Sequence, residues 1–523
     1  MTAPHHLTLA EAARAIAARQ LSPVALTQAY LDRIAAVDDR LHAYVLVAKD
    51  AALAAARKAE AEIAAGKYRG PLHGIPVGIK DIYATTGMRT TCHSRVLLDH
   101  VPAEDAESVR RLRAAGAVVL GKHATHEFAF GGPSHDLPFP AARNPWNLEH
   151  TPGGSSSGAG AAVAAGLCAG ATGSDTGGSI RSPAGNCGVA GIKPTYGLVS
   201  RRGVFPLSHT LDTCGPLAWS SEDCAHLLQA MAGFDPGDPA SVNAPIPNYA
   251  AEIAKPVRGL RVGVVRHFYA GTDGATPETV ELIEKTLQVW DGLGVALSEV
   301  TLPDLRDFHA VGRAILLSEA YAVHRPHLHR TPELYGQYSR ERLRLGALIT
   351  AEEYYQAQRH RRVLAEQTLK AMDGVDLLVT ANSYGAAERF ADSTIFPYFG
   401  KPYSACPSTL RASPRSRSAA ASARRGCRAR CRSWAAPSTT QRYCAWVTRM
   451  SRRRPGGRGG HRSEPLQHLQ GDNHGLSRTR PERPQGIDAL PRHHDVRRCH
   501  RRADLRSHRR QGARPRRQLP RHR

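Results

Sequence analysis

The first 404 residues alternate short apolar runs with longer segments of helical periodicity. In residues 74–81, Ile75, Val77 and Ile79 alternate with glycine, proline and lysine, as a strand with one buried face requires. Further strands are predicted over 117–120, 260–266 and 375–381. Helices are predicted over 8–66, 277–292 and 312–372. Strands separated by long helices indicate an α/β protein with a central sheet.

Helix start and stop signals frame the N-terminal segment. Thr8 and Glu11 have the spacing of a capping box, and Ser22-Pro23 is a typical opening of a second helix. Gly66 is a plausible C-terminal stop for the last of these helices. Lys80 falls outside the alternating apolar pattern and is expected on the opposite side of its strand.

The charge of the chain is very unevenly distributed. The formal net charge of +24 would ordinarily suggest a nucleic acid or an anionic surface as partner. Residues 405–523, however, contain 31 Arg, no Lys and 6 acidic residues, a net charge of +25. Residues 1–404 then carry 39 basic and 40 acidic residues, a net charge of −1. The first 404 residues therefore have the charge balance of an ordinary soluble protein, and only the tail is basic.

Several features favour a cytoplasmic location. The N-terminus lacks a basic stretch followed by an apolar core, so no signal peptide is expected. The small-apolar run at 158–173 is too short and too rich in glycine to span a membrane. The five cysteines of the first 404 residues show no paired spacing and are expected to be reduced thiols.

The tail has the properties of a coding sequence read in the wrong frame. It has few apolar positions and no periodicity, which would otherwise indicate a disordered basic segment. In a frame one nucleotide earlier, residues 407–422 are compatible with FNVAGFPALAV followed by GF, and residues 430–438 with MQIVGGPF. The shifted text has apolar, strand-like runs and turn residues. We therefore hypothesise a frame change near residues 404–407, with a genuine Arg-rich tail as the alternative.

Three short motifs combine glycine with residue types that take part in catalysis. They are Lys80 in GIPVGIKDI, Ser155 in TPGGSSSGAGAA and Ser179 in GSDTGGSIR. Taken singly, each has an ordinary structural interpretation, namely a solvated strand-end lysine, a flexible loop and a Gly-rich turn. The match to G-x-S-x-G centred on Ser156 is not a nucleophile elbow, because NPWNLEHTP rather than a buried strand precedes it.

Together, the three motifs closely resemble the amidase signature family of serine hydrolases. The resemblance extends to RNPW at 143–146 and to CGVAGIKPT at 187–195. The signature itself covers about 70–210, and a weaker resemblance runs from the N-terminal helices to FPYFGKPY at 396–403. The out-of-frame text resembles the C-terminal segment of the family. The resemblance implies one large α/β amidase domain over 1–404, with a mixed central sheet flanked by helices, and an irregular or disordered tail over 405–523.

The resemblance also implies a Ser–Ser–Lys catalytic triad. Ser179 is then the nucleophile that forms the acyl-enzyme, and Ser155 is the bridging serine, which follows a cis peptide bond in this family. Lys80 is then the base.

The residues around the nucleophile have implied roles as well. Gly177 and Gly178 let the backbone N–H groups from Thr176 to Ser179 converge on the substrate oxygen as an oxyanion hole that binds the substrate. Asp175 and Arg181 are expected to brace these loops rather than to react.

The proposed triad requires an uncharged lysine. A serine hydroxyl is a poor nucleophile unless a neighbouring group takes its proton. A lysine with its ordinary pKa of about 10.4 is protonated at pH 7 and cannot do so. Burial away from other charges disfavours the ammonium form and can lower the pKa to about 7–8.

The expected activity is hydrolysis of a linear carboxylic amide to a carboxylate and ammonia. The expected partner is a small-molecule amide substrate, and no metal or organic cofactor is implied. We expect no specific nucleic-acid partner and no membrane partner, and we leave a homodimer open.

Three alternatives remain at this stage. The chain could be the glutaminase subunit of a tRNA-dependent amidotransferase, which shares the signature. It could be an inactive product, because the family's C-terminal segment contributes to the core sheet and the present tail would remove that packing. The Arg-rich tail could bind nucleic acid in a salt-sensitive manner, which we expect to be adventitious.

Overall fold

The computed structural model describes residues 3–271 and 274–392, and these residues have the predicted α/β organisation. The helices are α1 (Leu9–Ala17), α2 (Pro23–Leu41), α3 (Lys49–Ala64), α4 (Glu107–Ala114), α5 (Ser157–Ala164), α6 (Arg181–Cys187), α7 (Ser221–Met231), α8 (Tyr249–Ile253), α9 (Pro277–Gly292), α10 (Leu305–Arg330), α11 (Gln337–Arg344) and α12 (Ala351–Ala371). The strands are β1 (Tyr44–Val47), β2 (Pro76–Lys80), β3 (Val118–His123), β4 (Gly170–Ser174), β5 (Ala190–Gly191), β6 (Cys214–Ala218), β7 (Arg261–Val264), β8 (Ala296–Glu299) and β9 (Leu377–Val379).

The N-terminal segment confirms the predicted helix starts but also contains a strand. The Thr8 side chain accepts a hydrogen bond from the Glu11 N–H, and the Glu11 carboxylate accepts one from the Thr8 N–H, which completes the capping box. Ser22 caps α2 in the same way. The prediction of helix throughout 8–66 was wrong at β1, because α2 ends at His42 in a left-handed conformation and the β1 residues pair with β3.

A six-stranded mixed sheet forms the centre of the fold. Its strand order is β1-β3-β2-β4-β6-β5, with β2 parallel to β3 and to β4, and with antiparallel pairing elsewhere. The strand β2 is buried at all five positions, so the expected single buried face of 74–81 was wrong. Helices cover both faces of a parallel strand, and this explains why Lys80 is as buried as its apolar neighbours.

A second, three-stranded parallel sheet with the order β8-β7-β9 follows in the chain. Its strands β7 and β9 lie within the predicted runs, and α9 has the predicted bounds. The predicted helical segment 312–372 is divided into α10, α11 and α12. The break after Arg330 coincides with Pro332 and Gly336, which a continuous helix tolerates poorly.

All described residues belong to one compact unit. Within this part of the chain, no helix is both long and apolar enough to cross a lipid bilayer. The predicted boundary at residue 404 and the Arg-rich tail over 405–523 lie outside the described residues.

Candidate active site

Lys80 is the last residue of β2 and lies at the centre of the main sheet. Its side chain is fully buried, and its backbone N–H donates to Thr172 Oγ1 on the neighbouring strand β4 at 2.9 Å. The amine Nζ lies 2.8 Å from Ser155 Oγ, 3.0 Å from Ser156 Oγ and 2.8 Å from Ser174 Oγ. Three hydroxyl groups from two different parts of the chain therefore surround one amine.

Three hydroxyl partners suit both the charged and the uncharged form of the Lys80 amine. A neutral amine has two N–H donors and one lone pair, whereas an ammonium group has three donors. The Ser156 hydroxyl donates to the Ser174 carbonyl oxygen at 3.4 Å, so towards Lys80 it acts as an acceptor. The lone pair of a neutral Lys80 amine is then left for the hydroxyl of Ser155 or Ser174.

Burial lowers the pKa of Lys80 to about 7, because the ammonium form loses its hydration inside the protein. Nearby acidic groups oppose this effect and favour the charged form. They are Cys214, Asp175, Asp212 and Cys92, in decreasing order of strength. Burial is the larger influence, so a substantial fraction of the Lys80 amine is uncharged at neutral pH.

Ser155 and Ser156 directly precede α5, and close backbone packing holds them in place. The peptide bond between Gly154 and Ser155 is cis, as the resemblance implies. A side chain at position 154 would overlap His126, since its Cβ would lie 2.1 Å from the imidazole ring. A Cβ at Gly158 would lie 2.3 Å from the Ala43 carbonyl oxygen. Glycine at these positions lets α5 approach the sheet closely enough for the serines at its start to contact Lys80.

Ser179 lies in the loop between β4 and α6 and is partly exposed. Its carbonyl oxygen accepts a hydrogen bond from the Ser156 N–H at 3.2 Å, so the two serine loops are in contact. Among the described residues, no hydrogen bond joins the side chains of Ser155 and Ser179. The structure thus brings Lys80 and Ser155 together directly, whereas Ser179 adjoins them only through its backbone.

The loop 175–179 offers three unused backbone donors rather than four. The Gly178 N–H donates to Asp175 Oδ1 at 2.8 Å. In the described part of the chain, the N–H groups of Thr176, Gly177 and Ser179 donate to no other group. A Cβ at Gly177 would meet no atom within 4 Å, whereas Gly178 has a φ of +132° that disfavours other residues. The Gly178 N–H is thus not available to a substrate, whereas the other three N–H groups of the predicted oxyanion hole remain candidates.

The fully buried Asp175 forms an ion pair with the partly exposed Arg181 at this loop. Arg181 Nη2 lies 2.7 Å from Asp175 Oδ1, and Arg181 Nε donates to Oδ2 at 2.9 Å. The N–H groups of Ile180 and Arg181 also donate to Oδ2. Burial acts to raise the pKa of Asp175, but the Arg181 guanidinium and these hydrogen bonds outweigh it, and the pKa falls to about 2. The contacts fit the expected bracing role.

Three further site residues were not identified from the sequence. Ser156 and Ser174 contact Lys80 directly, and Asp212 accepts a hydrogen bond from Thr176 Oγ1 at 2.5 Å. A signal was present for the serines, since one follows Ser155 and the other precedes Asp175 inside the recognised motifs. Nothing in the local pattern distinguished Asp212 from other loop carboxylates.

A cavity of about 750 Å³ opens beside this end of the sheet. Its lining includes Ser174 and Cys214 and therefore reaches the immediate surroundings of the Lys80 amine. Much of the remaining wall is apolar, including Ile82, Val204, Phe205 and Leu207.

Comparison with known proteins gives a consistent result. The family model described as Amidase matches residues 25–402. The chain is 39% identical over 401 residues to a glutamyl-tRNA(Gln) amidotransferase subunit from Pseudomonas fluorescens, covering 72% of this chain and 82% of that protein. It is 44% identical over 316 residues to the corresponding subunit from Desulfatibacillum aliphaticivorans, covering 60% of this chain and 65% of that protein.

A solved structure with a similar fold is that of the native peptide amidase of Stenotrophomonas maltophilia. The TM-score is 0.67 at 33% sequence identity, and the match covers 77% of this chain and 88% of that chain.

Proposed function

The chain belongs to the amidase signature family and is a carbon–nitrogen hydrolase, and we propose that it cleaves linear carboxylic amides through a Ser179 acyl-enzyme. The observation that carries this proposal is the fully buried Lys80 amine in hydrogen-bond contact with Ser155. An amine with a pKa near 7 can accept a proton under the conditions in which most enzymes work.

In the proposed reaction, Ser179 Oγ attacks the amide carbon while its proton passes through Ser155 to the Lys80 Nζ. The C–N bond then breaks, the proton moves to the leaving nitrogen, and ammonia departs from the Ser179 ester. Water hydrolyses this ester to the carboxylate by the same route. The reaction requires the Ser179 hydroxyl to turn towards Ser155, and catalytic hydrogen bonds are often formed only after substrate binds.

The amides of Thr176, Gly177 and Ser179 are the proposed oxyanion hole. Backbone donors fixed before the reaction stabilise the negative charge that develops on the carbonyl oxygen. Two observations support this role. These three N–H groups donate to no other group in the described part of the chain, and the space beside Gly177 is open. The Asp175–Arg181 pair and the hydrogen bond from Thr176 to Asp212 fix the loop in position.

The cavity beside Ser174 is the proposed site for the acyl group of the substrate. The apolar part of its wall favours a hydrophobic acyl chain, and Arg201, Arg202 and Asp238 in the same wall can bind polar groups of the substrate. A panel of amides with matched leaving groups and increasing acyl size tests this assignment, and kcat/KM is expected to rise until the cavity is filled. The proposed chemistry uses no metal and no organic cofactor.

The test of the nucleophile is Ser179→Ala. We expect kcat to fall by at least about 10³-fold, as is usual for loss of a catalytic serine. Ser157→Ala is the matched control, because Ser157 is buried in the same serine run and, among the described residues, forms no hydrogen bond with Lys80. Mass spectrometry of the wild-type chain with a slowly hydrolysed substrate should detect the acyl group on Ser179. Equal loss of activity in both variants would contradict the assignment.

A second candidate function is that of a glutaminase subunit in an amidotransferase complex. The two curated relatives described above are subunits of glutamyl-tRNA(Gln) amidotransferases, and this favours the alternative. The isolated chain should be tested with simple linear amides and with glutamine. Turnover of simple amides without partner subunits supports the stand-alone amidase, whereas turnover of glutamine only in the presence of partner subunits supports the alternative.

The proposal includes impaired activity of the chain with its present tail. The Amidase match ends at residue 402, close to the hypothesised frame change at 404–407. We compare the present chain with a frame-corrected chain in amide hydrolysis and in thermal unfolding, and we expect higher activity and stability in the corrected chain. Resequencing the gene provides the independent check. Equal activity and stability of the two chains would contradict the proposed impairment, and an intact single reading frame in the gene would contradict the frame change.

A further inference from the structure

A second fully buried lysine lies next to the catalytic strand end. Lys122 is the penultimate residue of β3, and its Nζ lies 3.1 Å from Asp81 Oδ1. Asp81 directly follows Lys80 and is also fully buried. Lys122 further donates to the Tyr83 carbonyl oxygen at 2.8 Å and to Thr90 Oγ1 at 2.5 Å. This pair is a separate charged centre beside the serine-bound amine.

Lys122 is the main compensation for the Asp81 charge. The other carboxylate oxygen, Asp81 Oδ2, accepts from the N–H and the hydroxyl of Thr91. Among the described residues, Oδ1 receives no hydrogen bond and has Lys122 as its ion-pair partner. Burial raises the pKa of Asp81 and lowers the pKa of Lys122, and in each case the partner's charge opposes the effect.

The backbone connects this pair tightly to Lys80. The Asp81 N–H donates to the His123 carbonyl oxygen at 3.1 Å, and Lys80 is paired with His123 in the sheet. Consecutive residues at a strand end direct their side chains to opposite sides. Lys80 accordingly contacts the serines, whereas Asp81 contacts Thr91 and Lys122.

Asp175, a nearby carboxylate, shows the same arrangement. Asp175 is neutralised by Arg181 at 2.7 Å. The titratable groups that face Lys80 from the elements around it are Cys92, His126, Asp175, Asp212 and Cys214. An uncompensated carboxylate at position 81 would be added to the acidic members of this set and would stabilise the ammonium form of Lys80.

We propose that Lys122 is a positioning residue whose ammonium group neutralises Asp81 and thereby keeps the Lys80 amine available as a base. This inference depends on the proposed role of Lys80. The charged ends of Lys80 and Asp81 are on the order of 10 Å apart for side chains on opposite sides of a strand. At an effective dielectric constant of about 20, one such charge changes a pKa by about one pH unit.

The direct test is a pH titration of lysine side chains by NMR on the full chain with ¹³Cε-labelled lysine. The chain contains ten lysines, and loss of a signal in Lys80→Arg assigns the Lys80 resonance. Lys122→Met should raise the Lys80 midpoint by about one pH unit, because Asp81 is left uncompensated. Asp81→Asn should lower it by a similar amount, because the Lys122 charge is left alone. The double variant should return close to the wild-type value.

Two controls separate electrostatics from general disturbance. Lys285→Met removes a lysine from an exposed ion pair on α9 and should leave the Lys80 midpoint unchanged. Lys122→Arg keeps the positive charge beside Asp81 and should leave the titration midpoint of Lys80 at its wild-type value. Thermal unfolding verifies that each variant folds.

The signs of the shifts decide the proposal. A folded Lys122→Met variant whose Lys80 midpoint matches that of Lys285→Met would overturn it. If Lys122→Met does not fold, Asp81→Asn and the double variant decide, and a raised or unchanged midpoint in Asp81→Asn would overturn the proposal. NMR does not depend on turnover, so an inactive chain with the expected shifts counts against the proposed function and not against this inference.

Discussion

Replacing Lys80 with methionine should favour the folded state more at neutral pH than at alkaline pH. In the unfolded chain Lys80 has its ordinary pKa of 10.5, whereas in the folded protein burial lowers this pKa to about 7. Between these values the unfolded state holds one more proton than the folded state. The free energy of unfolding of the wild type therefore rises with pH over this interval, and the cost of burying Lys80 is fully present below about pH 7.

The size of the effect follows from the two pKa values. Each unit of difference between the unfolded and folded pKa of Lys80 lowers the free energy of unfolding at low pH by about 1.4 kcal/mol. The difference between 10.5 and about 7 therefore corresponds to about 5 kcal/mol. Lys80 is fully buried, so solvent does not reduce this value appreciably. Methionine has a similar length and no charge. The variant lacks the hydrogen bonds from Lys80 to the three serines, and this lowers its free energy of unfolding by an amount that adds a constant to the difference between the two proteins.

The assay is equilibrium urea unfolding of the wild type and of Lys80→Met at several pH values from 7 to 10. Other groups titrate in this range, but they contribute equally to both proteins and cancel in the difference. The free energy of unfolding of Lys80→Met, minus that of the wild type, should decrease by about 4 kcal/mol from pH 7 to pH 10. Lys122→Met is not a suitable reference because Lys122 is itself buried and paired with the buried Asp81, so Lys285→Met, which removes a solvent-exposed lysine, serves as the matched control. A difference that stays constant with pH would refute the reasoning.

Further variants test the loops of the site. Gly177→Ala should leave the melting temperature nearly unchanged and lower kcat, because its new methyl group enters the open space beside the proposed oxyanion hole. Gly178→Ala should instead destabilise the fold by about 1–3 kcal/mol because of the φ of +132°, as thermal unfolding will detect. Asp175→Asn should destabilise by about 1.5–3 kcal/mol because it removes the charge that strengthens the hydrogen bonds of the buried Asp175 carboxylate with Arg181 and the loop, and urea unfolding measures this. The stabilisation from Asp175 in the wild type should be present above its ordinary pKa of 3.8 and disappear as the pH falls towards 2, and a pH series of the same measurement checks the sign. Ser155→Ala should lower kcat and leave KM for a simple amide nearly unchanged in steady-state kinetics, because it interrupts proton transfer rather than binding.

The class of the fold and the central sheet were predictable from the sequence, but short elements were not. The run Tyr44–Val47 has only four residues and lies between two strong helical patterns, so neither its length nor its periodicity indicated a strand. The burial of β2 on both faces was also missed. Alternation of apolar residues reports on one face of a strand, and only the topology of the sheet determines whether helices cover the other.

The site was predictable where residue type and chemistry coincide. The candidate roles of Lys80 and Ser155 came from the resemblance of three combined motifs to a known family, since each motif alone has an ordinary structural interpretation, and the structure places the two side chains in contact. The orientation of the Ser179 hydroxyl depends on side-chain rotation, which the sequence does not encode in a local pattern. The use of the Gly178 N–H by Asp175 depends on the three-dimensional path of the loop. Asp212 is 36 residues from its partner Thr176, and no sequence spacing indicates such a contact.

The ring of three hydroxyls around Lys80 has a consequence for the direction of proton movement. Once the amine has gained a proton, it has three hydrogens and no lone pair, so all three serines must become acceptors. Where Ser155 is the hydroxyl that donates to the neutral amine, its hydrogen then has to turn away from Lys80. Charging the amine in this way reverses the polarity of one hydrogen bond and frees a donor, which the proposed protonation of a departing nitrogen requires.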